Sequence, residues 1–125
     1  MALAHSTAVR NACADAVVDA IDGGAGAGTF VLQTSGDVEV ATLTFSDPAF
    51  AGASGGAAAA NSITSDTSAT GGVVAKFRLF DSNATEIFQG TVTGTGGGGD
   101  IELSSTTIGA GETVACSAFT YTAMP

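Results

Sequence analysis

Residues 73–80 (VVAKFRLF), 81–84 (DSNA) and 85–93 (TEIFQGTVT) form one uninterrupted stretch, and its reading decides the fold. In 73–80 apolar side chains alternate with period two: Val73, Ala75, Phe77 and Leu79 fall on one side, Val74, Lys76, Arg78 and Phe80 on the other. Asp81, Ser82, Asn83 and Ala84 supply turn chemistry, so 85–93 returns as the hairpin partner. The hairpin is predicted to be the centre of a sheet.

Working outward, 29–34 (TFVLQT) and 38–45 (VEVATLTF) read as two further strands around a tight turn at Ser35, Gly36 and Asp37. In the second, Val38, Val40, Thr42 and Thr44 face one way and Glu39, Ala41, Leu43 and Phe45 the other, an unsorted pattern that predicts cover on both faces. Residues 49–60 (AFAGASGGAAAA) are of low complexity, and their Gly and Ser oppose a helix, so a loop anchored by Phe50 is expected. A weak strand at 61–67 follows; beyond the hairpin, 94–99 (GTGGGG) is a loop, 107–112 (TIGAGE) is a turn, and 101–104 (IELS) and 113–122 (TVACSAFTYT) close the sheet.

Before the first strand, apolar residues at Val9, Cys13, Ala16, Val17, Ala20 and Ile21 keep the three-and-four spacing of one helical face over 6–21. Ser6 can cap this helix and Gly23-Gly24 can stop it. Asp15, Asp19 and Asp22 are read as an exposed acidic face. The expected fold is mainly β: an antiparallel β-sandwich or barrel of about seven short strands with one N-terminal α-helix. Residues 1–28 are taken as the helix and a Gly-rich hinge forming an arm, and 29–125 as the β domain.

At 125 residues the chain is the size of one domain. Only 12% of residues are charged, and Lys+Arg 3 against Asp+Glu 12 leaves a net charge of −9. Arg10, Lys76 and Arg78 could neutralise few phosphates, which excludes a nucleic-acid binder of the usual kind and disfavours anionic membranes. Ala carries much of the hydrophobic share, and Phe 7, Tyr 1 and Trp 0 supply the only large aromatic anchors, so a thin core is expected. The opening Met1-Ala2-Leu3-Ala4-His5-Ser6 lacks the basic and apolar regions of a signal peptide, and nowhere do 18 apolar residues follow one another. Synthesis as a soluble cytosolic protein is the expectation.

The residues that could carry chemistry are few. His5 is the only histidine, with no nucleophile or second ligand near it in sequence, and is read as exposed rather than catalytic. Cys13 and Cys116 have no metal-ligand spacing, and lie on the apolar sides of the helix and of the last strand. Two buried free thiols are preferred over a bridge between them. The glycines at 23, 24, 26 and 28 follow a helix and precede a strand, the reverse of a phosphate-cradling loop. Asp37 with Glu39, and Asp100 with Glu102, could offer oxygen ligands to Ca²⁺, but each pair is too few alone, and charge guarding a strand edge is the reading taken. Lys76 and Arg78 suit either an ion pair with a neighbouring subunit or one with Glu86 across the hairpin. No catalytic, cofactor-binding or metal residue is assigned, and an enzyme is disfavoured.

Three stretches resemble a set of small proteins that tailed bacteriophages encode among their head genes: SxxVRNACADAVVDAIDGGAGAG (6–28), ATLTFSDPAF (41–50) and TVACSAFTYTA (113–123). The resemblance implies a head decoration, or cement, protein on the outer capsid surface of the virion. It further implies the major capsid protein as partner and a homotrimer where capsomers meet. It transfers no functional residue. The N-terminal segment, exposed Phe side chains and the segments 23–28 and 51–60 are the expected contacts. The competing class is a tail-associated or surface β-sandwich module that recognises a host glycan or protein; the lack of Trp and the single Tyr121 count against it.

Overall fold

The structure is a computed structural model and describes residues 4–116 and 118–123. The helix forms where its caps place it. α1 (Thr7–Ile21) begins with the Ser6 side chain accepting the Val9 N–H at 3.3 Å and ends at Asp22, with Gly24 beyond it in the left-handed region at φ 84°.

The face it buries is not the expected one. Ala14, Val18 and Ile21 are buried, while Cys13, Ala16 and Ala20 are exposed and Val9 keeps 45% of its surface. The reason is polar. Residues 49–56 have little regular secondary structure, and their backbone N–H groups need acceptors. Asn11 Oδ1 accepts from Gly56 at 2.7 Å, Asp15 Oδ1 from Ala53 at 2.8 Å and Asp22 Oδ1 from Ala49 at 2.8 Å. These side chains turn the helix so that its small apolar stripe faces outward. Asp15 and Asp22 are thus structural acceptors rather than parts of an exposed acidic face. The helix itself lies on the body, with Val18 and Ile21 in the main core cluster.

The β portion consists of β1 (Thr29–Gln33), β2 (Glu39–Phe45), β3 (Ala57–Ala59), β4 (Ile63–Thr64), β5 (Gly72–Val73), β6 (Lys76–Phe80), β7 (Glu86–Gly94), β8 (Ile101–Leu103), β9 (Thr107–Ile108) and β10 (Thr120–Thr122). A curled six-stranded sheet runs β4-β2-β1-β6-β7-β8, and β10-β3 and β5-β9 form two ribbons. The expected hairpin, β6 and β7, is indeed central: β6 pairs with both β1 and β7. Its turn is held by Asp81 Oδ1, which accepts the N–H groups of Asn83 and Thr85 at 2.9 Å each.

Four expectations need correction. The strand expected over 73–80 breaks: Val73 pairs in the β5-β9 ribbon, and Val74 bonds to Thr106. Val73 is therefore 57% exposed and Val74 2%, the inverse of the alternation read from sequence. The break follows Gly71 and Gly72, at φ 90° and 138°, angles that suit glycine alone. The loop expected over 49–60 contributes a strand, β3, and the strand expected over 113–122 is reduced to a bridge at Val114 and to β10. Finally, the sheet is mixed. β8 runs parallel to β7, with Val92 opposite Ile101 and Gly94 opposite Leu103. Parallel partners ordinarily need a long crossover. Here the overlap is short, and residues 95–100 fold back tightly because Gly96 and Gly98 adopt φ 85° and 79°.

The core is also richer in rings than expected. Phe30, Phe45, Phe50 and Phe77 are buried, and Phe119 meets all four with centroids 5.3–6.3 Å apart and near-perpendicular planes. Phe88 continues the array from Phe77 to Tyr121. Both faces of β2 are covered, as its unsorted pattern predicted, with Val40 and Ala41 buried side by side, and β1 is covered likewise at Val31 and Leu32.

Candidate functional site

A cavity of about 520 Å³ lies between one face of the large sheet and the C-terminal segment. Its floor is Phe30, Leu32, Leu43 and Phe77 from β1, β2 and β6, and one wall is Phe88, Ile101 and Leu103 from β7 and β8. Gly90 lets the floor close: a Cβ there would stand 2.5 Å from the Phe77 ring. The opposite side is a strap that includes Val114, Ala115, Cys116, Ala118, Phe119 and Tyr121.

The strap is pinned at two places. Val114 exchanges backbone hydrogen bonds with Asp66 at 2.7 and 2.9 Å, and the Phe119 carbonyl accepts from Ala60 at 2.7 Å. Between the pins, Ala115, Cys116 and Ala118 line the open space. Cys116 donates its thiol to the Ala118 carbonyl at 3.1 Å, and burial pushes the thiol above its ordinary pKa.

The residues singled out by sequence do not gather at this cavity, Cys116 and Asp100 excepted. Lys76 pairs with Asp37; Arg78 reaches Asp37 at 3.5 Å, Glu86 at 3.0 Å and Gln89 at 3.3 Å. The intrachain reading of these bases is the one the structure has, with Asp37 of the β1–β2 turn as an added partner. Arg10 donates to the Ala123 carbonyl at 3.3 Å and lies against Gly56. Glu39 accepts from the Thr42 and Thr70 hydroxyls at 2.9 and 2.6 Å. Asp100 Oδ2 accepts from Thr91 N–H and hydroxyl at 2.9 and 3.2 Å, and Glu102 accepts from Gly96 and Gly98 at 3.1 Å each. Asp100 and Glu102 thus hold the β7–β8 loop, while Asp37 and Glu39 tie the β1–β2 turn and β2 to β6 and to Thr70, and among the described residues no group of three or more His, Cys, Asp or Glu converges on a common point.

Cys13 and Cys116 are free, but Cys13 is exposed and Cys116 half-buried, because α1 turns the Cys13 side outward. His5 is exposed ahead of the helix. The Phe side chains expected at the surface are buried or half-buried without exception. What sequence reasoning missed is the cavity itself. Its signal was the pattern in 113–122, where small residues at 115, 116 and 118 precede Phe119 and Tyr121.

No protein-family model, curated protein or solved structure matches the chain. Among the described residues no helix is long and apolar enough to cross a membrane.

Proposed function

We propose that the chain is a non-enzymatic virion structural protein, a decoration or cement protein that binds the outer surface of a phage head through the major capsid protein and stabilises it. The observation that supports this reading is the outward face of α1. Val9, Ala12, Cys13, Ala16 and Ala20 are all exposed, while Asn11, Asp15 and Asp22 are turned into the body. That orientation satisfies the amides of 49–56 but leaves an apolar stripe in water, and such a surface of small residues lets another backbone approach closely. The face is modest in area, and many copies on one lattice would supply the rest through avidity. In this reading the curled sheet and the β3–β10 ribbon act as a sandwich-like body that presents α1, and three copies meet at each capsomer junction.

The test is co-sedimentation with purified undecorated phage shells. Saturation at a fixed stoichiometry is expected, with decorated shells resisting heat better than bare ones. A Val9→Lys, Ala16→Glu variant that melts like the parent should stay in the supernatant. Parent protein that never sediments with shells, at any concentration, overturns the reading.

A further inference from the structure

The cavity beneath the strap is the strongest feature that shell binding leaves unused. The cleft is open to solvent on one side, where its lining residues Asp100, Ala115, Ala118 and Thr120 are exposed. Here about 520 Å³ stands open against Phe30, Phe77, Phe88, Phe119 and Tyr121, within the range of about 300–1,000 Å³ found for small-molecule pockets. Ordinary packing would close it with larger side chains at 115, 116 or 118, and the chain carries Ala, Cys and Ala there. The strap's backbone is held at Val114 and Phe119 by bonds to Asp66 and Ala60.

We propose that this cavity is a binding site for a neutral, mainly apolar small molecule with a flat or chain-like body and one polar end. Its interior offers ring faces, ring edges and aliphatic groups. The polar lining is exposed: Asp100, Thr120, Thr122 and Gln89, whose Oε1 is taken by Arg78. No Lys or Arg is among the lining residues, and the Asp100 carboxylate opposes a negative headgroup. A carboxylate- or phosphate-bearing ligand is disfavoured on that ground. The site does not use the outward face of α1, so it stands or falls separately from shell binding.

The wild-type chain contains its own reporter. Cys116 lines the cavity and Cys13 is exposed on α1. Alkylation of each thiol by a maleimide is followed by mass spectrometry, with and without saturating Nile red or 1-dodecanol, both neutral. Cys116 should be modified about tenfold more slowly when the site is filled, while Cys13 is unaffected. Nile red fluorescence should saturate at one dye per chain, with 1-dodecanol displacing it better than dodecanoate. Leu103→Trp and Ala118→Trp fill the space from opposite walls and should weaken the dye by about tenfold or more. Unchanged Cys116 alkylation in the presence of both probes overturns the proposal, as does undiminished dye binding in filled variants whose circular dichroism matches wild type. Should the filled variants not fold, the alkylation comparison decides alone.

Discussion

The Asp15 carboxylate accepts the backbone N–H of Ala53 at 2.8 Å, across 38 residues of sequence, and so sets which side of α1 faces the body. Asp15→Ala leaves that part-buried N–H without its acceptor and is expected to cost about 1–2 kcal/mol in urea unfolding. Ala16→Glu, one residue on and exposed, should change stability by no more than about 0.5 kcal/mol. The reverse ranking, with Ala16 sensitive and Asp15 silent, would restore the helix face read from apolar spacing.

That helix shows where sequence was legible and where it was not. Its ends were readable because Ser6 and Gly24 act locally. Its orientation was not, because the side chains that decide it bond to residues 27, 38 and 45 positions away, and small Ala and Cys side chains have too little area to compete. The β6–β7 hairpin was legible for the same local reason. The parallel β8 was not, since its loop depends on glycine angles and on the Glu102 carboxylate. The cavity lay beyond reach because it is a gap between segments rather than a motif, although the small residues ahead of Phe119 mark where it opens.

Phe119 joins the array by touching the rings of Phe30, Phe45, Phe50 and Phe77 at once. Its immediate neighbour Ala118 is small, so the ring supplies most of the side-chain packing at this point of the strap. Phe119→Ala is expected to cost about 2–4 kcal/mol, set somewhat below a fully buried Phe because the ring is half-buried. Phe119→Leu should recover part of that. Urea midpoints at neutral pH measure both, and a loss under about 1 kcal/mol for the Ala variant would show that the strap is not anchored by this ring.

Asp66 takes over where the short β4 ladder ends, its Oδ2 accepting from Thr42 N–H at 2.8 Å and its Oδ1 from Ser68 N–H at 2.9 Å. The bond from Thr42, then that from Ser68, hold its pKa below the ordinary carboxylate value, against a smaller opposing effect of burial. The folded value is the lower one, so the carboxylate's stabilising contribution is complete above the unfolded value of about 3.9 and is lost as pH falls through the folded value. Asp66→Asn should be less stable than wild type at pH 7 and should lose less stability on acidification below about pH 4. Parallel pH profiles for the two proteins would show that Asp66 contributes nothing to the acid limb.

Glu102 spans the tight return between β7 and β8, one oxygen accepting from Gly96 N–H and the other from Gly98 N–H, each at 3.1 Å. Thr93 adds a third hold, its hydroxyl accepting from Gly99 N–H at 3.0 Å. The pair is exposed, so Glu102→Ala should lower global stability by no more than about 1 kcal/mol. Locally the effect should be larger. With no acceptor to order them, the glycine amides at 96 and 98 are expected to exchange with solvent about tenfold faster, and the three-residue parallel pairing of β8 should fray with them. Hydrogen exchange read residue by residue tests this. Faster exchange confined to 96 and 98, with β8 amides unchanged, would mean that β8 holds its place by packing Ile101 and Leu103 and that the carboxylate orders only the loop.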